Sequence, residues 1–237
     1  MKKRVYLVLS ALLLLMVVTA CGSNETEVKP KQTEDGSSRK SININSEGLP
    51  EEYLEIVETA ALYVKGELKD EDKEIKQTGI STKFGDLNIR YQYDYGYALM
   101  DINGDGIDEI LLGHIDTGNV YNIYTIKDGK AFLVAAAEGM DDYHIAEDGT
   151  IHSCDYYQDG AIDVDAFYDF DGENLKFKEA IATHIVSGLI YNYRVTEEDF
   201  LDESNEVSND EYLDLINKYP SKDIEFTSFI KNDLNKK

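Results

Sequence analysis

The spacing of apolar residues changes along the chain, and each change marks a different element. Behind Pro50, Glu51 and Glu52, the residues Tyr53, Val57, Ala60, Ala61 and Val64 recur at three and four residues. Proline and carboxylates suit a first helical turn, so this spacing predicts an amphipathic helix that Gly66 ends. The stretch Glu67 to Gln77 is dense in Glu, Asp and Lys and reads as a solvated turn with a short helix at most. The period then falls to two: Tyr91, Tyr93, Tyr95 and Tyr97 alternate with Gln92, Asp94 and Gly96, which predicts a tyrosine-lined strand face. Such rings serve either as core and rim side chains or as a ligand platform.

Short apolar runs follow, separated by turn dipeptides. Val120 to Ile126, Ala131 to Ala137, His144 to Ile145, Thr150 to Tyr157, Ala161 to Asp169 and Leu175 to His184 are set apart by signals such as Asp128-Gly129, Asp148-Gly149, Asp159-Gly160 and Asp171-Gly172. Thr196 to Phe200 reads as a short turn of helix. Ser208-Asn209-Asp210-Glu211 is a capping-box pattern before Tyr212, Leu215, Ile216 and Tyr219, and Pro220 closes that helix. A last strand is expected within Ile224 to Ile230. The fold class is therefore α+β: an antiparallel β-meander sheet with N-terminal and C-terminal helices packed on one face or at one end.

The first 48 residues stand apart from this pattern. Lys2-Lys3-Arg4 precedes an apolar run from Val5 to Ala20, broken only by Ser10 and Thr19, and Cys21 follows. That layout is a secretory signal, too short for an ordinary membrane span. Val18-Thr19-Ala20-Cys21 resembles the lipobox of bacterial lipoproteins, which implies cleavage before Cys21, lipidation of its sulfur and display on the outer face of the cell membrane, in the style of a Gram-positive bacterium. Residues 1–20 are then the signal peptide, 21–48 the lipidated cysteine and a disordered polar tether, and 49–237 the extracellular domain. Cys154 would be the remaining thiol, so no intramolecular disulfide is expected. Loss of the signal removes three basic groups and no acidic ones, moving the formal charge from −24 to −27. Such a balance excludes nucleic acid as a partner and favours cations.

Cation chemistry is concentrated in Asp101-Ile102-Asn103-Gly104-Asp105-Gly106-Ile107-Asp108-Glu109. Counted against an EF-hand-like calcium loop, Asp101, Asn103, Asp105, the Ile107 carbonyl and Glu109 fall at positions one, three, five, seven and nine, with Gly106 at six. Position twelve is Leu112, which has no side-chain oxygen, and the flanks read as strands rather than helices. Residues 97–113 resemble the calcium hairpins of FG-GAP and related repeats. That likeness implies calcium on Asp101, Asn103, Asp105 and Glu109, with Ile110 and Leu112 packed inward. Hard oxygen donors suit calcium; the competing reading is a turn whose Asp and Asn side chains bond their own backbone. A partial echo at Asp169-Phe170-Asp171-Gly172 lacks the later acidic residues and reads as a hairpin turn.

Catalytic signals are weaker. His114, His144, His152 and His184 fit no compact metal-ligand spacing. His144 and His152 could face each other across the hairpin turned at Asp148-Gly149, as a zinc or acid/base pair or as ordinary sheet histidines. Cys154 reads as a buried small hydrophobe more readily than as a nucleophile. Asp163 and Asp165 share one strand parity, with Asp155 expected near Asp163, either as a glycosidase-type pair or as a surface charge row. With no catalytic residue assigned, the sequence is read as a non-catalytic, calcium-stabilised binding or envelope-associated module. Its membrane contact is the lipid anchor, and its ligand a cell-wall glycan, a peptide or a surface protein. The alternative is a calcium-dependent extracellular hydrolase acting on polysaccharide or cell-wall polymer.

Overall fold

The computed structural model describes residues 43–85 and 92–231. The chain divides between Arg39 and Lys40, and all of these residues belong to the second unit. The expected signal segment, Cys21, the tether up to residue 42 and Tyr91 lie outside the described residues.

A 3-10 turn at Glu51–Tyr53 runs into α1 (Leu54–Val64), and Gly66 follows with φ of 68°. α2 (Lys73–Thr78) is the short helix allowed for by the charged stretch and ends at Gly79, also left-handed. α3 (Asn209–Lys218) has the expected capping box, with Ser208 accepting from the Glu211 amide and the Glu211 carboxylate accepting from the Ser208 amide. The strands are β1 (Tyr95–Met100), β2 (Glu109–His114), β3 (Val120–Lys127), β4 (Lys130–Ala136), β5 (Asp142–Ile145), β6 (Ile151–Tyr157), β7 (Ile162–Phe170), β8 (Leu175–Val186), β9 (Leu189–Val195), β10 (Glu206–Val207) and β11 (Thr227–Ser228).

All are antiparallel neighbours in one sheet, ordered β10-β9-β8-β7-β6-β5-β3-β2-β1-β11, with β4 paired to β3 beside that path. The α+β architecture, an antiparallel sheet flanked by N- and C-terminal helices, is as expected. Several details differ. The meander is broken where β3 pairs with both β4 and, through Val120 and Tyr143, β5. Thr196 to Phe200 forms a tight turn bridged by Thr196 and Asp199 instead of helix. The last strand shrinks to two residues on β1. Asn45 donates to the Phe229 carbonyl and Ile44 bridges Ile230, so ordered chain begins ahead of residue 49.

Tyr53, Ile56, Val57, Ala60, Ala61 and Val64 bury one helix face of α1 against Ile110, Leu112, Tyr124 and Phe229. Full burial of each larger side chain is worth about 1.5–3 kcal/mol, which offsets the ordering entropy of the helix. Tyr95 and Tyr97 belong to this cluster, with Phe84 edge-on to Tyr95 at 5.6 Å, so these strand tyrosines form core instead of a ligand platform. Tyr93 precedes the strand and is exposed.

The opposite face of the central strands is also buried. Ala98, Leu111, Ile123, Ile145, Ile151 and Phe170 form one cluster, with Met100 and Leu175 against it. The sheet curls until the β7–β8 turn reaches the loop between β1 and β2. A Cβ at Gly172 would stand 3.1 Å from Asn103 Nδ2 and Asp105 Oδ2, and Lys127 pairs with Glu173 across the same gap.

Candidate metal centre

Three neighbouring strands assemble the site. β5 and β6 place His144 opposite His152 and Asp142 opposite Cys154, while β6 and β7 place Cys154 opposite Asp165 and His152 opposite Phe167. Because alternate residues of a strand share a face, Asp142, His144, His152, Cys154, Asp163, Asp165 and Phe167 emerge on one side. α3 packs on that side through Leu215 and Tyr219, which meet Phe167 and Ile181.

His152 Nε2 lies 2.7 Å from Asp165 Oδ1 and 3.5 Å from Cys154 Sγ, and the thiol lies 3.9 Å from the same carboxylate oxygen. His144 Nε2 stands 3.3 Å from Asp142 Oδ1. Among the described residues, two trios bring one ligand atom each within 4.8 Å of one another: His152, Cys154 and Asp165, and Asp142, His144 and Cys154. Cys154 belongs to both. Phe167 stacks on the His152 ring at 4.5 Å and fixes its plane, and Tyr219 stacks on the other side of Phe167. Burial first, and then the charge of the Asp165 carboxylate, push the Tyr212 hydroxyl up to about 12. A cavity of about 150 Å³ opens here, lined in part by Cys154, Asp163, Asp165, Thr183 and Tyr212.

The electrostatics are one-sided. Burial pushes the Cys154 thiol well above its usual range, and the charges of Asp165, Asp142 and Asp155 push it further. Asp163 is raised by burial and by Asp165. Without a cation the thiol therefore keeps its proton and is a poor nucleophile. A divalent ion reverses that preference, because a coordinated thiol gives up its proton. The donor set, one sulfur, one imidazole nitrogen and one carboxylate oxygen, fits zinc-type ions better than calcium. Tetrahedral zinc bonds leave ligand atoms about 3.3–3.8 Å apart. The sulfur-to-nitrogen and sulfur-to-oxygen separations are already close to that, so only the His152–Asp165 contact must widen, by about half an ångström.

This cluster corrects the lean toward a non-enzymatic module, because it offers a candidate cofactor site. A half-buried cysteine beside two histidines and carboxylates is a candidate metal-ligand arrangement rather than simple core filling. The histidine pair is brought together, with ring centroids 5.8 Å apart. Asp163 and Asp165 do share a face, but Asp155 pairs with Val164 on the other side and accepts from the Ser153 hydroxyl at 2.7 Å. The overlooked signal was the pair of i, i+2 patterns Asp142-x-His144 and His152-x-Cys154, which a strand collects on one face.

The loop from Asp101 to Glu109 is a separate feature. Asp101 Oδ1 accepts from the amides of Gly104 and Asp105 at 2.7 and 3.1 Å, and Asp101 Oδ2 accepts from Gly106 at 2.9 Å. Asn103 Oδ1 accepts from Asp105, and Asp105 Oδ1 accepts from Ile107, whose side chain is exposed. Glu109 is fully buried; its oxygens accept from the Ile102 amide at 3.0 Å and the Thr125 hydroxyl at 2.9 Å. Burial raises its pKa despite those two bonds, and Asp105 and Asp101 add to the rise. Asp101 Oδ1 already accepts two bonds, but the other carboxylate oxygens keep acceptor capacity, so this donor set remains compatible with calcium. No protein-family model, curated protein or solved structure matches this chain.

Proposed function

We propose that this domain is a metal-dependent hydrolase of extracellular polymer, polysaccharide or cell-wall material, held at the membrane through a lipidated Cys21. The observation that carries the reading is the convergence of His152, Cys154 and Asp165 beside an open cavity. Three protein ligands with a free fourth position are the pattern of catalytic zinc sites, whereas structural sites are closed by four. When bound, the ion supplies Lewis acidity and lowers the pKa of the attacking water. Asp163, held above the usual carboxylate range at the edge of the same cavity, can hold the proton that a leaving group needs. Tyr212 shares the cavity with Asp165 and feels its charge, which suits it to an outer-shell role toward that ligand. Tyr156 and Tyr212 wall the cavity with rings of the kind that stack on sugar faces.

The lipobox-like Val18–Cys21 supports secretion and anchoring, and the Asp101–Glu109 spacing supports calcium as a second, stiffening ion. In this reading calcium holds the hairpin and the His/Cys/Asp centre does the chemistry.

Cobalt titration of the metal-free protein tests the centre directly, because a thiolate ligand gives an intense near-ultraviolet charge-transfer band. One equivalent should bind, with the band lost in Cys154→Ser and binding weakened in His152→Ala and Asp165→Asn. Hydrolysis of a panel of wall and plant polysaccharides should vanish with chelator and return with zinc. Absence of the band, with hydrolysis that survives chelation and Cys154→Ser but not Asp163→Asn, would replace the metal reading with a carboxylate mechanism.

A further inference from the structure

The β8–β9 hairpin ends in four aliphatic side chains, Ile185, Val186, Leu189 and Ile190, exposed by 44, 55, 59 and 65%. Ser187 and Gly188 turn the chain between them with φ of 54° and 80°, a tight two-residue turn that fixes the tip. From Ala180 to Tyr193 no Asp, Glu, Lys or Arg occurs, in a chain that is 30% charged.

The register decides what can cover this tip. Ile185 pairs with Ile190 and Val186 with Leu189, and successive strand residues point to opposite faces, so each face of the ribbon carries one aliphatic pair. A partner protein docking on a sheet face would cover one pair and leave the other in water. A medium that surrounds the tip covers both. β7 reaches only as far as His184, through Ile162, with one further bond from the Ile185 amide to the Ala161 carbonyl. About two residues of each strand thus stand clear, a reach of about 7 Å, which matches the ~5–10 Å depth of the boundary between headgroups and acyl chains. Tyr191 and Tyr193 follow on β9, where amphipathic rings favour the membrane–water interface.

We infer that this hairpin tip is a membrane-inserting element that seats the domain on a lipid bilayer, a contact separate from the anchor at Cys21. The inference rests on the anchored reading only for bringing the domain to the surface. The 22 residues from Cys21 to Asn43 span at most about 75 Å, so an anchor at Cys21 would keep the domain near its leaflet. The chain's charge of −24 opposes an anionic surface, so the contact is apolar and is strengthened, not weakened, by salt. Seated this way, the domain has a fixed orientation, and the cavity at Asp163 and Thr183, three residues or about 10 Å along β8 from Val186, lies close to the membrane plane.

The chain has no tryptophan, which makes a single introduced one a clean reporter. Leu189→Trp is placed in the full chain, and Leu213→Trp, exposed on α3, serves as control. Flotation with phosphatidylcholine vesicles checks the anchored reading by itself. With vesicles whose acyl chains carry bromine, emission from Leu189→Trp should shift to the blue and be quenched, while Leu213→Trp is unchanged. Adding Ile185→Asp and Ile190→Asp to the Leu189→Trp chain should cut partitioning of the tip by about tenfold or more per residue and restore the emission, with the chain still floating. Flotation without quenching overturns the inference and leaves the anchor in place. A blue shift that depends on protein concentration and ignores bromine overturns it in favour of self-association. Failure to float overturns both readings.

Discussion

Glu179 offers a sharp test of how α3 is fastened over the metal-centre face. Its carboxylate accepts from Arg194 Nη1 at 3.0 Å on β9, from Lys218 Nζ at 2.5 Å and from the Tyr219 hydroxyl at 2.7 Å at the end of α3. Burial alone would raise its pKa; the bonds from Lys218, Tyr219 and Arg194 outweigh burial and hold it at about 2, against 4.5 when unconstrained. That gap is worth at most ~3 kcal/mol at neutral pH. Lys218 and Arg194 are largely in water, so screening reduces the contribution to about 1–2 kcal/mol. Glu179→Gln, which keeps the shape and removes the charge, should therefore lower Tm at pH 7 by about 3–6 °C. A depressed carboxylate pKa contributes stability that is complete above the ordinary value and fades as pH falls toward the folded one. The difference between the two proteins should accordingly shrink from pH 4.5 downward and close near pH 2. Calorimetric melts across that range decide the matter. Equal melting temperatures at pH 7, or a gap that persists undiminished to pH 2.5, would refute the argument that these bonds join α3 to the sheet.

Three further outcomes follow from the geometry. Glu109→Gln in chelator should be neutral or stabilising by up to about 1 kcal/mol at pH 7, because burial raises that carboxyl and an amide can still bond Ile102 and Thr125; Glu109→Ala should cost about 2 kcal/mol by leaving them unpaired, both read from urea midpoints. Gly149→Ala should destabilise by more than about 1 kcal/mol, since the residue has φ of 84° and a Cβ would stand 2.2 Å from the Ile102 carbonyl oxygen, and thermal melts will show it. Iodoacetamide should label Cys154 of the folded, metal-free protein far more slowly at pH 8 than it labels the urea-unfolded chain, as intact mass reports; labelling at equal rates would mean that burial and the neighbouring carboxylates do not hold the proton.

The helices were legible because their signals are local: the spacing from Tyr53 to Val64 and the capping box at Ser208 need no knowledge of the rest of the chain. The Asp-Gly turns located most hairpins for the same reason. β9 went unread because its turn is Ser187-Gly188 and its apolar residues are exposed, so neither the usual dipeptide nor an in-out alternation marked it. The histidine pair was legible because the turn at Gly149 sets its register directly. Asp165 as a partner of Cys154 was not, since the β6–β7 connection runs through a 3-10 turn with Gln158 at φ of 51°, and its offset follows from backbone geometry that side-chain types do not announce. The curl that brings Gly172 onto the Asp101–Glu109 loop depends on the twist of every strand between them.

Asn43 to Asn45 and Phe229 to Lys231 run side by side, joined by three backbone hydrogen bonds or bridges. The two ends of the domain are therefore neighbours, and a short glycine-serine linker from Lys231 to Asn43 would close the chain into a ring with no strand displaced. Cutting that ring at Asp128-Gly129, a tight turn well away from β5, β6 and β7, yields a circular permutant whose metal-centre strands stay contiguous. In such a molecule β4, beside the main path, opens the chain, and the order in which the strands are made is separated from the place each holds in the sheet.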